Sequence, residues 1–141
     1  MLGPEFPFGR IEGNFSVLLT ASSESVSISQ MAFIDASSQS LRFKAIPGNG
    51  TFGVTIAGAP IQIVPLETTP AYTLYGGDVS PFAGQTMELK FTAFSSSGLN
   101  NLYLDSIEFS PVVVPEPRLM TFAVVASVLL SVELWRRKSQ K

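Results

Sequence analysis

The side chains that could do chemistry in this 141-residue sequence are few, because it contains no histidine and no cysteine. These absences exclude Ser-His-Asp and Cys-His nucleophilic sites and most zinc sites. One carboxylate pair, Asp105 and Glu108, remains as a candidate for general acid and base chemistry. Such a pair needs a cleft with tuned environments, and nothing in the sequence indicates one. We therefore expect no catalytic residue and no enzymatic activity.

The C-terminal part combines three features that together indicate a membrane. Two prolines keep the segment Val114-Pro115-Glu116-Pro117 extended and stop a helix from crossing it. Residues 119–135 follow as an apolar run, about 26 Å long as a helix against about 30 Å of hydrocarbon core. Next come Arg136, Arg137 and Lys138, which resist translocation and determine the topology. This order predicts a single transmembrane helix whose basic end stays in the cytoplasm.

This tripartite C-terminus resembles the PEP-CTERM sorting signal of bacterial surface proteins. The resemblance covers residues 114–141 and implies recognition of the Pro-Glu-Pro sequence by exosortase, a membrane-embedded processing enzyme. Family members usually carry a small residue after this sequence, where Arg118 stands here. The apolar run also contains Glu133, which can pair with Arg136 and Arg137 one turn away.

The two parts of the sequence carry opposite charge. Residues 1–117 hold ten acidic and four basic side chains, whereas residues 118–141 hold one acidic and five basic ones, so the net charges are −6 and +4. An acidic body argues against nucleic acid as a partner, because phosphates need a basic face.

The first residues lack the features of a secretory signal. Residues 1–8 contain neither a basic start nor a long apolar stretch. Since a protein with this C-terminus has to reach the export machinery, we expect the natural start to lie upstream. The alternative is that the C-terminal segment alone targets the chain to the membrane.

Short runs of alternating apolar and polar residues fill the sequence between residues 15 and 109. The clearest runs are 41–45, 52–56 and 87–93, and the further strand candidates are 15–20, 25–30, 61–66, 71–76 and 102–109. A period of two marks strands with one buried face. About eight such strands predict an antiparallel β-sandwich. The predicted core residues are Leu41, Phe43, Phe52, Val54, Ile56, Leu89 and Phe91.

Turn signals separate these runs. Pro47-Gly48-Asn49-Gly50 contains an Asn-Gly pair between two alternating runs, which predicts a hairpin. Residues 57–60 and 95–98 have the composition of loops.

The last strand candidate changes parity along its length. Leu102 and Leu104 point one way, whereas Ile107 and Phe109 point the other. A bulge near Asp105-Ser106 would bring both pairs to the core. The alternative is that Tyr103, Ile107 and Phe109 face inwards together.

The segment 75–110 is similar to the C-terminal half of jelly-roll domains on secreted bacterial proteins, many of which resemble carbohydrate-binding modules. The likeness rests on Asp78-Val79-Ser80-Pro81-Phe82-Ala83-Gly84-Gln85-Thr86 and on Leu102-Tyr103-Leu104-Asp105-Ser106-Ile107. It implies calcium as a candidate cofactor at Asp78 and Asp105, whose alternative role is to cap local backbone. It also makes polysaccharide a candidate partner. The aromatic residues Tyr72, Tyr75, Phe82 and Tyr103 form either a sugar-stacking face or core and edge packing.

The expected architecture is all-β, with a jelly-roll-like antiparallel β-sandwich followed by a single C-terminal transmembrane helix. Its segments are a truncated or disordered N-terminal part at 1–13, the sandwich at 14–112, the Pro-Glu-Pro linker at 113–118, the helix at 119–135 and the cytoplasmic end at 136–141. The expected function is that of a non-enzymatic bacterial cell-surface or extracellular-matrix protein. It is anchored in the inner membrane with its domain outside the cytoplasm until processing releases it. The alternatives are a carbohydrate-binding module, either alone or as a fragment of a larger secreted enzyme, and a permanently anchored envelope protein.

Overall fold

Two antiparallel sheets make up the part of the chain described by the computed structural model, residues 11–115. The strands are β1 (Val17–Ala21), β2 (Val26–Phe33), β3 (Ser40–Ile46), β4 (Phe52–Ile56), β5 (Ala59–Pro60), β6 (Ile63–Thr68), β7 (Thr73–Asp78), β8 (Thr86–Ala93) and β9 (Asn100–Ser110). One sheet has the order β1-β9-β3-β7-β6 and the other the order β2-β8-β4-β5. The all-β prediction is therefore confirmed. Eight strands match the predicted ones, and β5 is additional.

The core lies between the two sheets and contains the predicted apolar faces. On β3, Leu41 and Phe43 are fully buried, whereas Arg42 between them lies on the outer face, as a period of two requires. All the other predicted core residues are buried too, except Phe52, which is half-buried against the same cluster. The Phe43 ring is central, because it contacts Phe91 edge-to-face at 5.0 Å and stacks on Tyr75 at 5.6 Å.

The predicted Asn-Gly hairpin is wrong. Strands β3 and β4 belong to different sheets, so residues 47–51 carry the chain from one sheet to the other. A Cβ atom on Gly48 would lie 2.7 Å from the carbonyl oxygen of Asn101, and one on Gly50 would lie 2.5 Å from the Asn100 side chain. These glycines therefore permit close packing against β9, and neither has the positive φ of a type I′ turn.

A tight hairpin is found instead where a loop was predicted. Ala57 and Gly58 have φ values of +50° and +79° and join β4 directly to β5. Positive φ at both central residues is typical of a type I′ turn, whose twist matches that of the flanking strands.

Asn100 links two connections at one end of the sandwich. Its side-chain Nδ2 donates hydrogen bonds to the carbonyl oxygens of Thr51 and Phe94, at 2.9 and 3.0 Å. Thr51 precedes β4 and Phe94 follows β8, so one buried amide fixes the ends of two paired strands relative to β9.

The predicted bulge in the last strand is present. Arg42 faces Glu108 and Lys44 faces Asp105, so two steps along β3 correspond to three steps along β9. Ser106 has a φ of +50°, which is uncommon for a residue with a side chain. The extra residue therefore lies next to Ser106 and restores the parity of the strand.

The bulge decides which apolar residues of β9 reach the core. Leu102 and Leu104 are 1% exposed, and Phe109 packs against the same core. Ile107 is 42% exposed, so the bulge does not bury it. The alternative arrangement with Tyr103 facing inwards is wrong, because its two neighbours occupy the core side.

Candidate functional site

The chain leaves the sandwich along a fixed path. After β9 ends at Ser110, the exit segment, residues 111–115, crosses the outer face of the five-stranded sheet. The buried hydroxyl of Ser40 donates to the carbonyl oxygen of Val112 at 2.6 Å. The Val112 amide in turn donates to the hydroxyl of Ser110 at 3.2 Å. These bonds attach the start of the exit segment to β3 and to the end of β9.

A glycine on β7 receives the next part of the exit segment. A Cβ atom on Gly76 would lie 2.6 Å from Cγ1 of Val114 and 2.8 Å from Cδ1 of Leu66, closer than such contacts can be. Gly76 is buried, although it lies on the outer side of the sheet. The missing side chain thus makes a notch, the Gly76 notch, that the half-buried Val114 fills beside Leu66.

Val114 and Pro115, the first half of the expected sorting motif, therefore lie on or beside the domain surface. The exposed Val112 and Val113 separate Val114 from the end of β9. The other predicted residues, which are Glu116, Pro117, Arg118, Glu133, Arg136, Arg137 and Lys138, lie outside the described residues, as do the apolar run 119–135 and the end at 136–141. Between residues 11 and 115 no helix has the length and apolarity to cross a membrane.

Asp105 organises the bulge by accepting hydrogen bonds at both carboxylate oxygens. Its Oδ2 accepts from the Ser16 hydroxyl at 2.7 Å and from the Glu12 amide at 3.1 Å. Its Oδ1 accepts from the Ser106 amide at 2.7 Å. These bonds fix the chain before β1 to the bulge, and they stabilise the positive φ of Ser106.

An ion pair lies beside this carboxylate on the outer face. The Lys44 ammonium pairs with the Glu12 carboxylate, and the Ser106 hydroxyl donates to the Glu12 carboxylate at 3.2 Å. The hydrogen bond from Lys44, supported by that from Ser106, lowers the pKa of Glu12. The same bond raises the pKa of Lys44, whose Nζ also lies 4.9 Å from the centre of the Tyr72 ring.

The two calcium candidates are not brought together. Asp78 faces Ser40 at one end of β3, whereas Asp105 faces Lys44 further along the opposite edge of that strand. Asp78 Oδ1 accepts from the Ser80 amide at 2.9 Å, so it caps the turn that follows β7. Among the described residues there is no group of three or more carboxylates able to hold a metal ion.

A pocket of about 260 Å³ opens between the sheets beside the second part of β9. It is lined by residues 28–30 and Ala32 of β2, by Leu89 and Phe91 of β8, and by residues 107–109 of β9. In the described ladders β1 pairs with β9 only as far as Val17 opposite Leu104. The inner face of β2 is therefore left open at Ile28, which is 43% exposed.

The four aromatic candidates do not share one face. Tyr75 stacks on Phe43 inside the sandwich, and Phe82 also packs against the core. Tyr72 lies near Lys44, and Tyr103 is half-buried on the outer side of β9. Packing thus accounts for Tyr75 and Phe82, and no common platform for a sugar forms.

Sequence reasoning missed Gly76 and Ser40, the two residues that hold the exit segment. A glycine inside a strand does signal a close approach of another group, so the Gly76-Gly77 pair carried a hint. Ser40 carried none, because a serine that begins a strand usually faces water.

Comparison with known proteins gave no match for this chain. No protein-family model matches it, and no curated protein or solved structure is significantly similar to it. The site must therefore be interpreted from its own residues.

Proposed function

We propose that this protein is a non-enzymatic bacterial cell-surface or extracellular-matrix protein that is sorted through a PEP-CTERM-like C-terminus. The observation that carries the proposal is the order of three features in the sequence, which are Val114-Pro115-Glu116-Pro117, the apolar run 119–135 and Arg136-Arg137-Lys138. The position of the motif supports it, because Pro115 directly follows Val114, which packs against the domain at Gly76.

The domain itself is proposed to be a jelly roll. Successive strands β1, β2, β3 and β4 alternate between the two sheets, and β9 lies between β1 and β3. This interleaving supports the assignment, because jelly rolls are two-sheet structures built from Greek-key connections. A domain of this kind can serve as a surface module without any catalytic residue.

The proposed localisation is the cell envelope, with the apolar run in the inner membrane and the sandwich outside the cytoplasm. Arg136, Arg137 and Lys138 orient the helix, because short basic flanks stay on the cytoplasmic side. Reporter fusions to both ends of a chain with its native start test this topology. A cytoplasmic reporter at the N-terminal end would reject it, and changing the three basic residues to Ser should loosen the orientation.

The sorting function itself is tested by the mass of the mature protein. In a host with an exosortase-type enzyme, the chain should lose the residues that follow the Pro-Glu-Pro sequence. Retention of residues 119–141 would make the C-terminus a permanent anchor. If Arg118→Ser then restores cleavage, the charge and bulk of Arg118 were the obstacle, and the sorting assignment stands.

A second candidate function, binding of polysaccharide, is favoured by the pocket. Phe91 and Phe109 give it apolar walls, while Gln30 supplies a polar group. Such a mixture suits sugars, which have apolar faces and hydroxyl edges. Polysaccharide pull-down with the full chain tests it, with Gln30→Ala expected to weaken binding. The control is Gln62→Ala, an exposed glutamine that does not line this pocket. Failure of the wild type to bind any polysaccharide rejects this function.

A further inference from the structure

We propose that the exit segment, residues 111–115, is a strap that holds the start of the sorting motif, Val114, against the sandwich and has to detach before a membrane-embedded enzyme can process the motif. This inference rests on the proposed sorting function. It adds a gate within the domain, and the parts of that gate are Ser40, Gly76 and Leu66.

The first argument is the specificity of the attachment. The hydroxyl of Ser40 is fully buried and donates to the Val112 carbonyl at 2.6 Å, while it accepts a longer hydrogen bond from Arg42 Nε at 3.4 Å. Two residues later, Val114 enters a notch that exists only because β7 has no side chain at Gly76. A chain end that merely trailed from the domain would need neither a buried donor nor a missing Cβ.

The second argument is distance. Only residues 115–118 lie between Val114 and the start of the apolar run at Leu119. Four extended residues span at most about 14 Å. That gap is little more than the diameter of one helix, about 10–12 Å. While Val114 is docked, the bulk of the sandwich therefore stays next to the membrane surface, where it competes with the enzyme for the motif.

The third argument is that the strap can open without unfolding the domain. Its described contacts are the bonds at Val112 and the packing of one valine, while Val112 and Val113 themselves are exposed. Small attachments of this kind open locally, at a lower free energy than the whole fold. Detachment would add residues 111–114 to the tether and roughly double its reach, to about 28 Å.

The absence of cysteine makes docking measurable. In the full chain held in detergent micelles, Val114→Cys should react with a maleimide about tenfold more slowly than Val113→Cys, because only position 114 lies in the notch. Adding Gly76→Ala should bring the two rates together. The matched control is Gly98→Ala, where a Cβ meets nothing within 4 Å, and the difference should persist.

A second variant, Ser40→Ala, controls for the possibility that Gly76→Ala impairs folding. Ser40→Ala removes the donor to Val112 without adding an atom, and it should also raise the rate at Val114→Cys. A urea unfolding midpoint close to that of the wild type would show that the sandwich is intact. Equal labelling at positions 113 and 114 in the otherwise unchanged chain would overturn the strap.

The gate is tested in a host that contains the processing enzyme. With Val114 retained, Gly76→Ala should reach the mature mass several-fold sooner than the wild type, and Gly98→Ala should match the wild type. The gate would be overturned if Gly76→Ala speeds maleimide labelling at position 114 but does not speed processing. If neither protein is processed, even with Arg118→Ser added, the sorting function fails and the gate with it, whereas labelling still decides whether the strap docks.

Discussion

The two parts of β9, residues 100–104 and 105–110, differ in the burial of their apolar side chains although they belong to one strand. Residues 100–104 pair with β1, and Tyr103 and Leu104 also pair with β3. The inward side chains Leu102 and Leu104 are 1% exposed. Residues 105–110 pair with β3 but have no described pairing with β1, and Ile107 is 42% exposed beside the pocket. Apolar residues of this one strand thus differ in burial on either side of the point where its pairing with β1 ends. The bulge at Ser106 marks the boundary between the two parts.

Truncating one apolar side chain in each part of β9 should show the largest difference in stability between the two parts. Leu104→Ala removes a side chain that is fully packed, so we expect it to lower the free energy of unfolding by about 2–5 kcal/mol. Ile107→Ala removes one that is partly in water, so the loss should be about 1 kcal/mol or less. Urea unfolding of the full chain in micelles measures both. Similar losses would mean that Ile107 is covered in solution.

The first part of β9 also contains a polar contribution that can be isolated. Asn100→Ala removes two hydrogen bonds from a side chain that is 1% exposed and leaves the carbonyls of Thr51 and Phe94 without this donor. We expect a loss of about 1–3 kcal/mol in the free energy of unfolding. Its neighbour provides the control, because Asn101 has a buried Oδ1 that finds no partner among residues 11–115. Asn101→Ala should therefore cost less, and a larger loss there would contradict this account.

Much of the core could be predicted from sequence, since alternation identifies the face of a strand that another sheet covers. Leu41, Phe43 and Leu104 follow that rule. Val26 and Ile28 alternate in the same way on β2, yet they are 37% and 43% exposed. Both lie on β2, which is an edge strand of its sheet, and a local pattern does not contain a strand's place in its sheet.

The same limit explains the errors at glycines. The Asn-Gly pair at 49–50 has the local chemistry of a hairpin turn, but the chain changes sheets there, so topology overrides the turn signal. Gly76 has a recognisable role, while its partner Val114 is distant in the sequence. For Asp78 and Asp105, backbone capping was the alternative raised from sequence, and the structure shows both carboxylates in such hydrogen bonds. Their shared residue type could not reveal that they lie apart.

The boundary between the two parts can be tested at the bulge itself. Ser106→Val places a β-branched residue at a φ of +50°, which should cost about 1–2 kcal/mol of the free energy of unfolding. Ser106→Gly is the matched change, because glycine adopts this φ freely while losing the hydroxyl contact to Glu12. We expect its effect to be smaller than 1 kcal/mol. If both substitutions cost the same, the hydroxyl and not the backbone conformation determines stability at this position.

The smallest expected effect concerns the ion pair that fastens the chain before β1 to the bulge. The hydrogen bonds from Lys44 and Ser106 lower the pKa of Glu12, so its ionised form is favoured in the folded protein. The resulting stability should be complete above the unfolded pKa of about 4.3 and should be lost as pH falls through the lower folded value. Glu12→Gln should therefore unfold at a lower urea concentration than the wild type at pH 6, and the difference should vanish towards pH 3. Asp35, whose pKa the hydroxyl and amide of Ser37 lower, titrates in both proteins and cancels in this comparison. Because Glu12 is exposed, about 1 M salt should also shrink the difference. A difference that persisted at pH 3 would show that the Glu12 side chain acts through packing and not through its charge.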